Sequence, residues 1–580
     1  MQEHGKIAED KSLRGFASAM DDLDEFFQMK LSRATYGLSP AGIIQMYAAW
    51  LSQLALCPGR QVSLATFPAF KVLSRLIQGC NEDDPLCVDD PRFSSPSWKI
   101  WPWKMYVEIF HGMEEFCDLA TKDIPGQSAQ TGRAVSFAAR QILDARAPSN
   151  FLPTNPDLLF ETFRTGGLNL VRGAMNAAED FKRNMKGEAS AGMENFEVGQ
   201  NLAVTKGKVV FKNDLIELIQ YDPVTPKVHK EPILILPAWI MKYYILDLSP
   251  HNSLVKWLTE QGHSVFIVSW KNPGSEDRNK GMDDYVRDGA LAAIDAVSSI
   301  MQNAPIHLTG YCLGGTLAMI AAALMAHDGD TRLKTLSLFA AQGDFTEAGE
   351  MMVFVTPSEV DYLEKMMKGQ GYLDTKQMAG AFQMLRSYDL IWSRMVKEYL
   401  MGQRGKLFDI MAWNADATRM PYKMHSEYLE RLFLNNEFAN GHYTVLGKAI
   451  APENIAVPVF AVGTEKDHVA PWKSVYKIHL MAGGEVTFVL TNGGHNAGIV
   501  SEPGHPHRYY HMETKKTGSP YESPDEWLEN AKDYEGSWWE AWDKWLKGKM
   551  EKEKKAAPGK AGNDKYKPLY DAPGKYIYQT

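Results

Sequence analysis

From about residue 201 onward, short apolar runs alternate with helical segments, and this alternation limits the fold more than any other feature. Runs such as "PILILPAW" and "SVFIVSW" are apolar at almost every position, as is typical of parallel strands that are buried on both faces. Helical segments separate these runs, and the pattern recurs as far as "EVTFVLT". Strands that alternate with helices predict an α/β fold with a doubly wound, mostly parallel sheet.

The alternation stops between about residues 343 and 450, where helical segments such as "SEYLERLFLNN" occur instead. An insertion of this size between sheet strands is usually a cap over a site. Residues 1–200 are also helical in pattern and include one predicted helix over 156–181, opened by an Asn-Pro start signal. The sequence therefore predicts a mainly helical N-terminal domain over 1–200 and an α/β domain over 201–580, with a cap insertion at about 343–450.

Composition argues against several classes of protein. The net charge of −9 over 580 residues provides no broad basic surface, so nucleic-acid binding has no support. The first residues, "MQEHGKIAEDKSLRGF", lack the apolar core of a signal peptide, and no run approaches the roughly 18 apolar residues that span a membrane. Five cysteines without a CxxC pair suggest neither a disulfide framework nor a zinc site. We expect a reduced, cytoplasmic protein without a metal or another cofactor.

The segment "HLTGYCLGGTLAM" contains a candidate nucleophile. Gly310-Tyr311-Cys312-Leu313-Gly314 fits the nucleophile-elbow frame G-x-S-x-G, with cysteine in the place of serine. The elbow is a strained turn from strand to helix, and its glycines allow the neighbouring backbone to approach closely. Taken alone, the frame is equally consistent with a small buried cysteine in the core.

Two further residues strengthen the catalytic interpretation. Asp467 follows the apolar run "VPVFAVG", and His495 follows "EVTFVLT". In α/β-hydrolases the nucleophile, the acid and the histidine occur in this order, and open α/β sheets build their sites where parallel strands end. The sequence thus predicts a triad in which Cys312 is the nucleophile, His495 the base and Asp467 the residue that orients it.

The same fold predicts an oxyanion hole made from two backbone N–H groups. One belongs to Leu313, directly after the nucleophile, and the other to the loop that follows "ILIL". Aligning the loop places the second N–H at Trp239. A shifted loop would supply it from Ala238 or Ile240 instead.

A set of motifs over about residues 90–580 resembles the polyhydroxyalkanoate synthases, most closely those of class I. The matching segments are "DPRFSSPSW", "NFLPTNP", "LPAWIMKYYILDL", "FIVSWKNP", "GYCLGGT", "WNADATRMP", "MHSEYL", "GTEKDHVAPW" and "GGHNAGIV". The resemblance implies an α/β-hydrolase fold and the same three catalytic residues. It also implies that (R)-3-hydroxyacyl-CoA thioesters are polymerised with release of CoA, through an acyl-cysteine and without a cofactor. A homodimer formed through the cap, and association with polymer granules in the cytoplasm, are further implications.

Cysteine suits such a reaction because transfer from CoA to Cys312 exchanges one thioester for another of similar energy. The acyl group therefore stays activated until a substrate hydroxyl converts it to an oxoester. Two other functions remain open at this point: a thioesterase or depolymerase of the same fold, and a granule-associated protein without catalysis.

For three further segments the sequence predicts no catalytic role. "SEPGHPHRYYHM" is richer in histidine than the family pattern and is expected to be a solvated loop or a tunnel mouth, with a metal cluster as the alternative. The aromatic segment "WWEAWDKW" predicts a core helix, with contact to a granule or a partner as the alternative. The Lys-rich tail after Lys547 is expected to be solvated.

Overall fold

The computed structural model describes residues 39–78, 90–385 and 387–580, together with Met20. The chain packs into two compact units. One comprises the described residues of 30–194 and 376–407, and the other contains 195–375 and 408–580. Residues 376–407 come from within the predicted cap insertion but pack in the first unit. The predicted domain limits themselves remain a prediction.

The first unit is helical. Its longer helices are Pro40–Ala55, Pro58–Gln78, Trp103–Thr121, Ala129–Ala145, Pro156–Arg164 and Leu168–Lys186, with short turns at Pro91–Phe93, Pro96–Lys99 and Pro148–Asn150 and helical turns at Tyr388–Trp392, Ser393–Met395 and Val396–Leu400. The helix Thr375–Leu385 begins at the boundary of the unit. A buried cluster of Phe93, Trp98, Val107, Phe110 and Ala147 forms part of its core.

The single helix predicted over 156–181 is wrong, because two helices occupy this stretch. Asn155 caps the first helix as predicted, since its side-chain oxygen accepts hydrogen bonds from the N–H groups of Asp157 and Leu158 at 2.9 and 3.1 Å. That helix ends at Arg164, and Gly167 then adopts a left-handed φ of 85° before the second helix begins. A glycine in this conformation ends a helix at little cost, so the Gly-Gly pair divides the apolar pattern.

An eleven-stranded sheet forms the centre of the second unit. In chain order its strands are β1 (Gly207–Lys212), β2 (Ile216–Tyr221), β3 (Ile233–Leu236), β4 (Val265–Trp270), β5 (Ile306–Tyr311), β6 (Leu333–Phe339), β7 (Val459–Thr464), β8 (Val486–Thr491), β9 (Tyr509–Lys515), β10 (Lys532–Glu535) and β11 (Tyr570–Asp571). Their order across the sheet is β10-β9-β8-β7-β6-β5-β3-β4-β2-β1-β11.

The six central strands, from β8 across to β4, run parallel to one another. Every residue of β3, β4, β5, β7 and β8 is buried, which explains why these strands appear in the sequence as continuous apolar runs. The predicted mostly parallel sheet is confirmed. The antiparallel hairpin of β1 and β2, with its turn at Asn213, is also as predicted.

The helices of the second unit connect the strands and build the insertion. They are Leu254–Glu260, Met282–Asp284, Ala292–Ile300, Leu313–His327, Pro357–Gln370, Asp409–Ala415, Tyr422–Glu427, Trp472–Tyr476, Ile478–Met481, Pro524–Asn530 and Trp538–Lys549, with π-helical turns at Tyr285–Leu291 and Tyr428–Leu434. Short paired strands add Lys227–Val228 with Lys555–Ala556, Tyr372–Leu373 with Met420–Pro421, and Tyr443–Val445 with Lys448–Ile450.

Two sequence expectations about the C-terminal part are corrected. The histidine-rich segment is not only a loop, because its end forms β9, which pairs antiparallel with β8 and β10. The tail after Lys547 is not simply solvated, because β11 pairs with β1 and the side chains of Tyr576 and Ile577 are buried. Both strands lie toward the edges of the sheet, where polar side chains face water and no continuous apolar run marks the strand.

The aromatic helix Trp538–Lys549 packs in the core, so the first interpretation of "WWEAWDKW" is confirmed. Trp538, Trp539 and Trp542 are all buried. The indole N–H groups of Trp538 and Trp539 donate to the carbonyl oxygens of Gly498 and Ile499, each at 2.9 Å. The helix therefore stabilises the segment that directly follows His495.

Three buried histidines lie at or just before the start of the parallel strands β3, β4 and β5: His229, His263 and His307. Burial lowers the pKa of His229 to about 4 and that of His307 to about 3, from an ordinary value of 6.5. Between pH 6.5 and these lowered pKa values, the unfolded chain binds more protons than the folded chain. The free energy of unfolding therefore rises with pH in that range. We expect the denaturant midpoint of unfolding to fall steadily as the pH is lowered from about 6.5 to 4.

The matched control is His307→Asn, whose amide can keep the contact that His307 Nδ1 makes with Thr335 Oγ1 at 2.7 Å. This variant should show a weaker dependence of the midpoint on pH over the same range. Equal midpoints at pH 6.5 and 4.5 in the parent protein, or an unchanged slope in the variant, would contradict the prediction.

Candidate active site

Cys312 lies at the turn between β5 and the helix Leu313–His327. Its backbone has φ 52° and ψ −124°, a conformation that residues other than glycine rarely adopt. The N–H of Cys312 donates to the carbonyl oxygen of Phe339 at 2.9 Å, which joins the turn to the end of β6. The thiol is partly exposed. The segment thus has the geometry of a nucleophile elbow, which presents its central side chain above the sheet.

The glycines of the frame are required by close backbone approach. A Cβ atom on Gly310 would overlap the backbone of Gly315, and one on Gly314 would overlap the carbonyl groups of Leu236 and Pro237. The first contact brings the strand against its own helix, and the second brings the helix against the loop after β3. The sequence spacing G-x-C-x-G therefore follows from packing at the elbow.

Asp467 lies in the loop after β7 and is held by several hydrogen bonds. Its Oδ1 atom accepts from the N–H groups of Val469 and Ala470, each at 2.9 Å, and its Oδ2 atom accepts from Thr464 Oγ1 at 3.1 Å. Burial alone would raise the pKa of this carboxyl, but the charge of His495 and these donors outweigh burial and lower the pKa. Asp467 therefore remains a carboxylate.

His495 follows β8 and connects the other two residues. Its Nδ1 atom lies 2.6 Å from Asp467 Oδ2, and its ring lies close enough to Cys312 for that residue to raise its pKa. Because Nδ1 faces the carboxylate, Nε2 is the nitrogen available to the thiol. Burial alone would lower the pKa of His495, but the charges of Asp467 and Cys312 outweigh it and hold the pKa well above 6.5. The site thus stabilises the cation that forms when the imidazole of His495 takes up a proton.

The aromatic side chain of Tyr428 lies near the thiol, and sequence reasoning did not single it out. Tyr428 belongs to the insertion, is 8% exposed and lies close enough to Cys312 that burial and the cysteine's charge both raise its pKa. Its ring centroid is 6.1 Å from that of Trp239, 6.0 Å from Phe345 and 5.2 Å from Phe433. The motif "MHSEYL" was the available signal, but a tyrosine in a helical segment does not indicate a site by itself.

The two predicted oxyanion donors flank the elbow. Leu313 is the first residue of its helix, where a backbone N–H has no acceptor within the helix. Trp239 lies in the loop after β3, and this loop contacts the elbow because the carbonyl groups of Leu236 and Pro237 abut Gly314. The assignment of Leu313 and Trp239 as donors remains a prediction.

One cluster among the described residues brings enough ligand atoms together for a metal ion: Asp90, His111 and Glu114 in the first unit. The guanidinium of Arg92 already occupies this cluster, with its Nη2 atom 2.7 Å from Asp90 Oδ2 and 2.6 Å from Glu114 Oε1. The carboxylates are therefore paired with a cation of the protein itself. The cluster is best described as a buried ion-pair network.

Two of the other four cysteines lie in the described part of the chain. Cys57 and Cys117 belong to the first unit, whereas Cys80 and Cys87 lie outside the described residues. Asp247, which also lies after β3, is buried and accepts hydrogen bonds from Ser253 at 2.7 Å and Tyr221 at 3.2 Å. These bonds give Asp247 a structural role.

Comparison with known families agrees with the fold. Residues 231–502 match the model described as alpha/beta hydrolase fold. Residues 89–258 match the model described as the N-terminus of poly-beta-hydroxybutyrate polymerase, and residues 18–60 match a second N-terminal model of the same polymerase. The sheet and the elbow thus define a protein of the α/β-hydrolase fold, as predicted.

Relatives extend over most of the chain. The poly(3-hydroxyalkanoate) polymerase of Methylorubrum extorquens is 39% identical over 84% of this chain and 80% of its own length. The polymerase subunits of Rhizobium meliloti and Cupriavidus necator are each 36% identical, over 88% and 84% of this chain, respectively, and 83% of their own lengths. The chain belongs to the poly(3-hydroxyalkanoate) polymerase family and is an enzyme that polymerises hydroxyalkanoates. The predicted family and enzyme class are confirmed.

No helix in the described part of the chain is both long enough and apolar enough to cross a membrane.

Proposed function

We propose that this enzyme polymerises (R)-3-hydroxyacyl-CoA thioesters with release of CoA, through a covalent acyl group on Cys312. The observation that carries the proposal is the position of His495, whose ring bonds Asp467 and lies beside the elbow cysteine. A thiol, an imidazole and a carboxylate connected in this way form an activated nucleophile. The thiolate is the reactive form, and an adjacent imidazolium stabilises it.

Acylation begins when His495 Nε2 takes the proton of the Cys312 thiol. The sulfur attacks the thioester carbonyl carbon, and the resulting oxyanion accepts hydrogen bonds from the N–H groups of Leu313 and Trp239. The intermediate collapses with cleavage of the bond to the CoA sulfur, which leaves as a thiol with the proton from His495. Asp467 holds the imidazole in the required tautomer and stabilises its cation.

Elongation transfers the acyl group to a hydroxyl. The 3-hydroxyl of a second hydroxyacyl-CoA loses its proton to His495 and attacks the acyl carbon on Cys312. An ester bond forms and the bond to sulfur breaks, so that the lengthened chain is carried on CoA and the thiol is regenerated. Thioester exchange then returns the chain to Cys312 and releases one CoA.

No step requires a redox group or a metal, so we propose that no cofactor takes part.

Water competes with the hydroxyl for the acyl-enzyme, and the aromatic wall of the site favours the hydroxyl. Tyr428 lies near Cys312, and its ring packs against the rings of Trp239, Phe345 and Phe433. An apolar lining also suits the methylene and ester groups of a growing chain. A thioesterase or depolymerase of the same fold needs a water held against the acyl group, so this lining disfavours that function.

We also propose that the enzyme works at the surface of polymer granules in the cytoplasm and forms a homodimer through the cap. The first unit supports the former, because it exposes large apolar side chains that an apolar polyester surface can cover. Examples are Trp101, Phe163 and Met185, which are 78%, 89% and 74% exposed, respectively. The dimer rests on the family resemblance, and measurement of the mass in solution tests it.

One assay separates the candidate functions. The protein is incubated with 3-hydroxybutyryl-CoA while free CoA, soluble acid and insoluble polyester are followed together. CoA with polyester is the expected result. CoA with free 3-hydroxybutyrate would identify a hydrolase, and the absence of CoA release would leave a granule protein without catalysis.

A further inference from the structure

A six-residue segment of the insertion, Trp413 to Thr418, hydrogen-bonds to the loop after β3 that carries Trp239. The Oγ1 atom of Thr418 donates to the carbonyl oxygen of Trp239 at 2.6 Å, and its N–H donates to that of Ile240 at 3.0 Å. At the other end the indole N–H of Trp413 donates to the carbonyl oxygen of Lys242 at 2.7 Å. Three hydrogen bonds therefore join the insertion to this loop. We call this segment the strap.

The strap also reaches the loop that carries the base. Asn414 Oδ1 accepts a hydrogen bond from Asn496 Nδ2 at 3.2 Å, and Asn496 directly follows His495. The other amide atom, Asn496 Oδ1, accepts from the hydroxyl of Tyr311 at 2.6 Å. Tyr311 directly precedes Cys312, and its ring lies 5.8 Å from the ring of His495. One segment thus touches both loops that flank the nucleophile.

The contacts to the loop after β3 are buried, and hydrogen bonds in a buried environment define position strongly. Thr418 is 0% exposed, Trp239 is 1% exposed and Trp413 is 3% exposed. The carbonyl oxygen of Pro237 is also held, by the indole N–H of Trp270 at 2.9 Å. Hydrogen bonds therefore hold the peptide groups on both sides of the peptide that carries the Trp239 N–H.

We propose that the strap positions the catalytic loops, with Thr418 as a positioning residue for the oxyanion loop and Asn414 as a positioning residue for the base loop. The inference rests on the proposed function, since it assigns these loops the roles given there. Neither residue touches the reacting atoms. Thr418 acts through the Trp239 peptide, and Asn414 acts through Asn496.

Thr418 and Asn414 are expected to affect different kinetic steps, and two reactions separate these effects. Acyl transfer from 3-hydroxybutyryl-CoA requires both the thiolate and the oxyanion hole. Alkylation of Cys312 by iodoacetamide requires the thiolate but builds no oxyanion. The rate of alkylation, followed by mass spectrometry of the peptide that contains Cys312, therefore reports on the Cys312–His495 pair alone.

Thr418→Val keeps the size of the side chain and removes the hydroxyl donor. We expect kcat for CoA release to fall about tenfold with KM little changed, because a small displacement of an oxyanion donor acts on the transition state. The rate and pH dependence of Cys312 alkylation should not change. Asn414→Ala should instead move the midpoint of the alkylation profile to higher pH by roughly half a unit, since the loss of about one hydrogen bond loosens the base.

The matched control is Thr309→Val in β5. Thr309 is fully buried, and its hydroxyl has no hydrogen-bond partner among the residues the structure describes. This variant should keep both reactions at the parent rate. Unchanged kcat in Thr418→Val, or an equal loss of alkylation and CoA release in that variant, would overturn the proposal.

Failure of the proposed function would look different. If the parent protein released no CoA, the acyl-transfer chemistry would be wrong. The pH profile of Cys312 alkylation in Asn414→Ala would still test whether Asn414 positions the base loop. An unchanged profile in Asn414→Ala would then contradict that role.

Discussion

Cys312→Ala is expected to lower CoA release from 3-hydroxybutyryl-CoA by a factor on the order of 10⁴ or more, because it removes the nucleophile that carries the acyl chain. Alanine retains the Cβ atom of cysteine at the same φ of 52°, so the strain at the elbow is unchanged and the fold should be preserved. The measurement is single-turnover release of CoA, with circular dichroism and the denaturant midpoint as checks on folding.

The matched control for this variant is Cys117→Ala. Cys117 is a partly exposed cysteine of the helix Trp103–Thr121 in the first unit, and it should be replaceable without loss of CoA release. Turnover by Cys312→Ala near the parent rate would show that the nucleophile is elsewhere. A large loss in Cys117→Ala would suggest a general sensitivity to cysteine replacement.

His495→Gln is expected to have the second largest effect, with CoA release falling by roughly 10³-fold. Glutamine can still form hydrogen bonds with its neighbours, but it can neither take a proton from the thiol nor stabilise a thiolate as a cation. Alkylation of Cys312 at neutral pH should slow in parallel, because the imidazolium that pairs with the thiolate is lost. Both rates can be measured on the same preparation.

Asp467→Asn is the companion variant. It preserves the shape of the loop but removes the negative charge that contributes to the high pKa of His495. We expect a large loss of CoA release with a smaller effect on folding, since the N–H groups of Val469 and Ala470 retain an oxygen acceptor. His505→Gln, in the exposed loop before β9, serves as the control histidine. Equal rates in His495→Gln and His505→Gln would contradict the assignment of the base.

Five of the six parallel strands are buried at every residue, and this burial on both faces made the parallel sheet predictable from the sequence. β9, β10 and β11 could not be, since "YYHMETK" and "KDYE" keep polar side chains at positions that face water. The break in the predicted helix over 156–181 depended on Gly167, whose left-handed conformation competes with a good apolar pattern on both sides. At that position the conformation of the glycine, and not the helical pattern of the neighbouring residues, determines the backbone.

The positions of Cys312, Asp467 and His495 could be predicted because each follows a parallel strand. Parallel strands end at one edge of the sheet, so residues far apart in sequence are brought together by topology alone. Tyr428 and Thr418 could not be found in this way. Both come from the insertion, where no strand order dictates position, and their places depend on tertiary packing that sequence periodicity does not encode.

The most direct test of the central claim is mass spectrometry of the intact protein and its peptides after rapid mixing with 3-hydroxybutyryl-CoA and acid quench. The proposed mechanism predicts a 3-hydroxybutyryl or oligomeric ester adduct on the peptide that contains Cys312, removable by hydroxylamine. The adduct should be absent in Cys312→Ala. CoA release with the adduct on another residue, or release without any covalent adduct at early times, would contradict the account.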